Sequence, residues 1–155
     1  MMSTSMRLLR NEIHPDYTRI EEIINIFVSL GFTRFSIEDE TDVYVLTIAM
    51  PITNDELVNS ENFKKSTIIY IDLIENDEER FYCPKTCKKY YSYLFFDNVS
   101  SREIMILEFL HRYFELYPDD IFWDCDKFFY TKKDIDKLYS KTYDSNWLYI
   151  SPDSF

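Results

Sequence analysis

The segment PDDIFWDCDKFFY, residues 118–130, holds the side chains with the clearest chemical potential in the chain. It sets four aspartates among five aromatic residues, which are Asp119, Asp120, Asp124 and Asp126 with Phe122, Trp123, Phe128, Phe129 and Tyr130. Paired carboxylates can act as general acid and base in hydrolysis, or hold a divalent cation. With 28 acidic residues in the chain, close pairs arise by chance, and a calcium loop also needs a glycine that this segment lacks. We therefore expect the segment to bind another molecule without catalysing a reaction.

The remaining reactive side chains form no motif that we recognise. Cys83 and Cys87 have the spacing C-x₃-C, but structural zinc needs four ligands, and no second pair of cysteines or histidines follows. A catalytic Cys–His or Ser–His pair needs a base positioned on the nucleophile, and the sequence gives no sign of one for His14 or His111. The odd count of three cysteines argues against a disulfide framework. We predict no catalytic residue, no metal and no cofactor, so the chain is not expected to be an enzyme.

The chain has a single glycine, Gly31. Phosphate-cradling loops, dinucleotide fingerprints and nucleophile elbows need several glycines, because only glycine lets the backbone approach a ligand closely. Those classes of enzyme are therefore excluded. Gly31 directly follows a run of apolar residues at helical spacing, which predicts that it ends a helix in the left-handed conformation with a hydrophobic contact from Phe32.

The 17 basic and 28 acidic residues give a formal net charge of −11. A field of that sign repels nucleic-acid phosphates and anionic membranes, and it attracts basic proteins. No apolar run approaches the ~20 residues of a membrane helix. The opening MMSTSMRLLR lacks the apolar region of a signal peptide, which predicts a cytoplasmic protein.

Hydrophobic periodicity predicts the element order α–β–β–(α)–β–β–α–β–α. An N-terminal helix is expected to begin near Pro15, a long helix to span 101–117 after a capping box of Ser100 and Glu103, and a third helix to follow Thr131. Strands are expected at 33–37, 43–50, 66–74, 90–96 and 128–130, with 38–42 as a charged turn and 81–89 as a loop. RLLRNEI is either a short first strand or an extended lead-in.

Short connections favour antiparallel neighbours. The expected fold is therefore α+β, a mostly antiparallel sheet of about four to five strands with an N-terminal, a long central and a C-terminal helix packed on it. The length predicts one domain over residues 1–155, with residues 1–6 disordered and the tail docked through Trp147 and Tyr149.

Acidic residues cluster at 38–42, 75–79 and 111–126. If these clusters merge on one face, the aromatic rings of the third would supply the anchors of an interface and the acids its charge complementarity. The predicted contact residues are Asp119, Asp120, Phe122, Trp123, Asp124 and Asp126, with Glu38, Asp39, Glu40 and Asp42 as a second patch. The alternative is that the rings belong to the core and the aspartates are merely solvated.

The stretch YFELYPDDIFWDCDKFFYTKKDIDKL, residues 113–138, resembles the C-terminal part of bacterial immunity proteins of contact-dependent inhibition and other polymorphic toxin systems. Those proteins are also small, acidic, rich in tyrosine and phenylalanine, and of α+β class. The resemblance implies a cytosolic inhibitor that binds and neutralises a cognate toxin, often a basic nuclease, and that has no catalytic residues of its own. We expect a monomer or a weak homodimer.

Three other functions remain open at this point. A phage-type protein that mimics nucleic acid and inhibits a defence nuclease would carry acids spaced like phosphates along an elongated face. An unrecognised small hydrolase would need a pocket with convergent carboxylates or a Cys–His pair. A scaffold or regulatory subunit would need neither.

Overall fold

The computed structural model describes residues 5–12, 18–32, 34–40, 43–49, 66–72, 80–97, 99, 102–141, 147–149 and 151–154. In this part of the chain the α-helices are α1 (Thr18–Ser29), α2 (Glu103–Leu116) and α3 (Lys132–Tyr139). The strands are β1 (Met6–Arg10), β2 (Arg34–Glu40), β3 (Val43–Ala49), β4 (Ser66–Asp72), β5 (Arg80–Cys83), β6 (Lys88–Phe96), β7 (Ile121–Trp123) and β8 (Phe129–Tyr130). Two short 3-10 turns follow at Trp147–Tyr149 and Pro152–Ser154.

The strands form one antiparallel sheet in the order β2-β3-β4-β6-β1-β7-β8, and β5 pairs with the beginning of β6. The predicted α+β fold with a mostly antiparallel sheet and three packed helices is confirmed. The described residues contribute eight strands to the sheet, more than the four to five expected, because β1, β5 and β7 are short segments that the periodicity did not resolve.

The two faces of the sheet differ in what covers them. Leu8 of β1 pairs with Phe122 of β7, and both belong to the main core, to which all three helices contribute. The next pair, Leu9 with Ile121, belongs to a second and smaller apolar cluster made of strand residues. Successive side chains of a strand point to opposite faces, so the helices cover one face and the second cluster lies on the other.

Helix α1 ends as the sequence predicts. Gly31 has a φ of 99°, and its N–H donates to the carbonyl of Val28 at 3.0 Å. The N–H of Phe32 reaches back to the carbonyl of Phe27 at 3.0 Å, and their rings meet edge to face at 5.4 Å. These two hydrogen bonds and the ring contact are the Schellman motif, so the only glycine has a structural role.

The starts of α2 and α3 differ. Thr131 caps α3 with a capping box: its hydroxyl accepts from the N–H of Asp134, whose carboxylate accepts from the Thr131 N–H at 2.9 Å. This cap confirms the prediction. Helix α2 begins after Arg102, which makes no side-chain cap hydrogen bond, and the predicted cap residue Ser100 lies outside the described residues.

Three predicted boundaries are wrong. The acidic residues at 38–40 belong to β2 and not to a turn. Their backbone pairing with β3 continues as far as Glu40, and Glu38 lies opposite Val45. The expected loop 81–89 contains β5 and the start of β6, joined by a turn over 84–87. Ser5 and Met6, expected to be disordered, are ordered: Met6 is a buried residue of β1, and Ser5 Oγ donates to the Asp97 carbonyl at 2.9 Å.

The tail packs on the helices, as expected for Trp147. Its side chain is fully buried, its Nε1 donates to the carbonyl of Glu103 at 3.0 Å, and its ring meets Tyr130 edge to face at 5.4 Å. None of the helices described above has the length and apolar character that crossing a bilayer requires.

Candidate binding surface

The aromatic segment 121–130 is divided between the two faces of the sheet. Phe122 and Tyr130 are fully buried in the main core. Trp123 and Phe129, their neighbours in β7 and β8, lie on the opposite face. The predicted contact residue Phe122 is therefore a core residue, because its position in β7 points it under the helices.

Asp120 is also internal. Its side chain is only 3% exposed, and its Oδ2 lies 2.8 Å from Arg19 Nη1 and 2.7 Å from the Tyr113 hydroxyl. Its Oδ1 accepts from the backbone N–H of Asn11 at 3.0 Å. The prediction that Asp120 lies on an exposed acidic face is wrong, because the charge of Arg19 and these donors hold the carboxylate inside.

Around this pair lies a buried arginine cluster, which we define as Arg10, Arg19, Tyr93, Tyr113 and Asp120. The Arg10 and Arg19 guanidinium carbons lie 4.9 and 5.6 Å from the centre of the Tyr93 ring. Burial raises the pKa of Asp120, and Arg19 together with the hydrogen bonds offsets part of that rise. Burial, then Asp120, also raises the pKa of the Tyr113 hydroxyl well above its usual range. Sequence reasoning missed this cluster, whose members are up to 110 residues apart.

The loop between β7 and β8, Asp124–Phe128, is held by its first residue. Asp124 Oδ1 accepts from the N–H of Asp126 at 2.9 Å and from the N–H of Phe128 at 3.0 Å. The Asp124 N–H donates to the Phe128 carbonyl at 3.1 Å, and Cys125 takes a positive φ of 63°. Asp124 therefore positions the 124–128 loop, a role that the sequence interpretation did not give it.

The loop presents charge to solvent. Asp126 and Lys127 are exposed, and Lys127 Nζ lies 5.0 Å from the centre of the Phe128 ring. No described residue forms an ion pair with the Asp126 carboxylate. Asp119 is exposed too, directly before the buried Asp120. Of the four aspartates predicted as contact residues, Asp119 and Asp126 thus remain exposed.

Beside the loop lies a ring cluster, defined as Phe81, Trp123 and Phe129. The Trp123 ring stacks on Phe129 with centroids 5.6 Å apart and packs against Phe81 at 5.0 Å. Phe81 and Trp123 are partly buried, and none of the described helices packs on this face of the sheet. An open cleft of about 300 Å³ adjoins the loop, lined by Pro84, Lys85, Lys127, Phe128, Phe129, Ser151, Pro152 and Asp153.

The second predicted patch lies on β2, the edge strand of the sheet. Glu38 is exposed, and Asp39 and Glu40 pair with Tyr44 and Val43 of β3. Asp42 and the whole cluster 75–79 lie outside the described residues. Most of the net negative charge of the chain likewise lies on residues that the structure does not describe.

The four aspartates at 119, 120, 124 and 126 do not converge. The described residues offer one group of three possible metal ligands, His111, Glu115 and Asp136, whose ligand atoms lie within 4.8 Å of one another. Lys132 Nζ lies 2.5 Å from Asp136 Oδ2 and 3.6 Å from Glu115 Oε1, so an ammonium group already neutralises these carboxylates. Part of this group could have been predicted from the sequence. His111 and Glu115 are four positions apart in α2, and Lys132 and Asp136 are four positions apart in α3, so each pair lies on one face of its helix.

The three cysteines differ in exposure. Cys83 is fully buried, Cys87 is exposed in the β5–β6 turn with a φ of 57°, and Cys125 is half-buried. Burial raises the pKa of the Cys125 thiol, and Arg7 opposes that rise. None of them belongs to a group of three possible metal ligands in the described part of the chain.

Comparisons with protein-family models, with curated proteins and with solved structures find no match to this chain.

Proposed function

We propose that this chain is a non-catalytic acidic binding protein, a cytoplasmic immunity protein of a bacterial polymorphic toxin system that neutralises a basic toxin domain by direct contact. The observation that supports this most is the 124–128 loop, which holds the exposed Asp126 beside a partly buried ring cluster. We call this combination the docking surface: the loop together with Phe81, Trp123 and Phe129.

Preorganisation favours tight binding by such a loop. Two backbone N–H groups donate to Asp124 Oδ1, so the loop needs little ordering when a partner arrives. Binding loses affinity when side chains and loops must be immobilised, and a loop already fixed by its own hydrogen bonds avoids most of that loss. Asp126 then meets the partner at a defined position.

The loop of the docking surface carries Asp124 and Asp126 against Lys127, so its net charge is negative and suits a basic protein. Large aromatic residues such as Trp123 are enriched among the residues that dominate binding energy. The net charge of −11 accelerates encounter with a positively charged partner and disfavours nucleic acid. Toxin domains that cleave nucleic acid carry positive charge at their active sites, which matches this preference.

The test begins with the reading frame next to this gene. If that frame encodes a large secreted protein, its C-terminal domain is expressed in a sensitive strain with and without the present chain. We expect growth arrest by the domain alone, rescue by co-expression, and a one-to-one complex in calorimetry with the purified proteins. Arrest that persists with the folded chain present, together with no measurable heat of binding, would overturn the proposal.

A further inference from the structure

Arg10 ends β1 with its guanidinium inside the protein. The side chain is 2% exposed, and its Nε donates to the carbonyl of Glu12 at 3.0 Å. Its Nη1 and Nη2 are buried, and neither donates a hydrogen bond to any described residue. Arg19 Nε is also buried and donates no hydrogen bond to any described residue. Buried polar groups are nearly always hydrogen-bonded, so three unsatisfied nitrogens on two neighbouring guanidiniums need an explanation.

The buried arginine cluster also has more positive than negative charge. It contains two cations, Arg10 and Arg19, but only one buried carboxylate, Asp120, which pairs with Arg19. Among the described residues, the other carboxylate paired with this cluster is Glu12, whose Oε2 lies 3.2 Å from Arg19 Nη2 and whose side chain is 65% exposed. Burial and the nearby charge of Arg19 both lower the pKa of Arg10, which indicates a cation without adequate compensation.

We propose that Arg10 and Arg19 form a binding site for a small oxyanion with paired oxygens, a phosphate or carboxylate group, and that the ligand displaces the Glu12 carboxylate. The two Nη groups of a guanidinium are arranged as a fork that matches such a pair of oxygens. Glu12 is the group that can leave, because a single ion pair to Arg19 holds its mostly solvated carboxylate. The incoming anion takes the place of this carboxylate at Arg19.

The site is separate from the docking surface. Arg10 packs on Tyr93, a residue of the main core on the helix-covered face, whereas the ring cluster lies on the opposite face. The inference therefore stands whether or not the chain is an immunity protein. Because the protein as a whole is strongly acidic, anions are not expected to adsorb elsewhere on its surface, which keeps the binding signal specific.

The experiment titrates sodium phosphate and sodium acetate into the protein by calorimetry at neutral pH, with sodium chloride at equal ionic strength as reference. We expect saturable binding of phosphate, acetate or both, beyond the response to chloride. Stronger binding of phosphate would identify a phosphoryl group as the natural ligand chemistry, and stronger binding of acetate a carboxylate. Equal responses to all three salts would overturn the site.

Two variants and a control locate the binding. Glu12→Gln removes the competing charge and keeps the shape, so we expect the anion to bind about fivefold more tightly, as the loss of one close like charge in a solvated setting implies. Arg10→Met should abolish binding, with folding checked by circular dichroism. Asp97→Asn removes an equal charge from an exposed position beside the opposite end of β1 and should bind like the parent protein.

Unchanged or weaker binding by Glu12→Gln would contradict the displacement of Glu12. This variant changes an exposed side chain, so it remains informative even if Arg10→Met fails to fold. Undiminished binding by a folded Arg10→Met protein would place the anion elsewhere and overturn the site.

Discussion

The Asp120 carboxylate and the Arg19 guanidinium form an ion pair 2.8 Å long in which the two side chains are 3% and 2% exposed. This pair joins the segment before β7 to helix α1, and the Tyr113 hydroxyl of α2 donates to the same carboxylate oxygen at 2.7 Å. An aspartate that the sequence places in an acidic surface patch therefore connects three elements of the interior.

Removing this carboxylate should be strongly destabilising. In Asp120→Ala, Arg19 stays buried without its main partner, and loss of one member of a buried pair costs about 3–5 kcal/mol. Asp119→Ala, the exposed neighbour, is the matched control and should change the free energy of unfolding by less than about 0.5 kcal/mol. Urea denaturation of both variants measures the difference. Equal stabilities would mean that Asp120 does not form this pair in solution.

A second prediction concerns the cap of α3. Thr131→Ala removes the hydroxyl that accepts from the Asp134 N–H, and such losses cost about 1 kcal/mol. Thr131→Ser keeps the hydroxyl and should be nearly neutral. Thermal or urea unfolding compares the two. If serine were as destabilising as alanine, the methyl group of Thr131 and not its hydrogen bond would be the stabilising feature.

The cap of α3 and the Schellman end of α1 were predictable because each depends on residues that are close in the sequence. Thr131 and Asp134 are three positions apart, and Gly31 directly follows the apolar repeat of α1. Local rules of this kind need no knowledge of the tertiary fold.

The docking surface was only partly predictable. Successive side chains of β7 point to opposite faces of the sheet, and this decides which rings are buried. Three residues are too few to show that alternation in the sequence. The partner of Asp120 lies 101 residues earlier in the chain, so nothing local distinguishes it from the exposed Asp119. The prediction that all four aspartates belong to one surface therefore failed at Asp120, while Asp126 is exposed as expected.

Stability should decrease in alkali. Burial raises the pKa of the Tyr130 hydroxyl, which donates to the Leu148 carbonyl at 3.1 Å. Its pKa is higher in the folded than in the unfolded state, so its contribution is complete below the unfolded value of about 10 and is lost as the pH rises towards the folded one. The slope is at most about 1.4 kcal/mol per pH unit for each such group.

Tyr130→Phe should therefore be less stable than the parent at neutral pH, by about 1 kcal/mol for the lost hydrogen bond. Above about pH 10 its stability should fall less steeply than that of the parent. Thr131→Ala, which lowers the stability by a similar amount and removes no titratable group, serves as the control and should keep the parental slope. Urea denaturation at a series of alkaline pH values gives the slopes, and parallel curves for all three proteins would contradict the prediction.

The three thiols should react in a fixed order with an aromatic disulfide reagent. Cys87 is exposed and should react first, while the half-buried Cys125, whose pKa is raised by burial, should follow slowly. Cys83 is fully buried and should react only after unfolding in urea. Single-cysteine variants assign each phase. Rapid labelling of Cys83 in the native protein would show that the β5–β6 hairpin opens readily.

The last prediction tests where a toxin partner would dock. Asp126→Lys and Glu21→Lys change the net charge equally, but Asp126 lies on the docking surface and Glu21 is exposed on α1, on the helix side of the sheet. At low salt we expect Asp126→Lys to reduce the association rate about tenfold and Glu21→Lys to reduce it much less, with the difference vanishing as salt is added.

Trp123→Ala should instead accelerate dissociation and weaken the complex by about 2 kcal/mol. Stopped-flow or surface-plasmon measurements with the purified toxin domain separate the two rates. If both charge reversals slow association to the same extent and Trp123→Ala dissociates at the parental rate, then only the overall charge attracts the partner and the contact lies elsewhere on the protein.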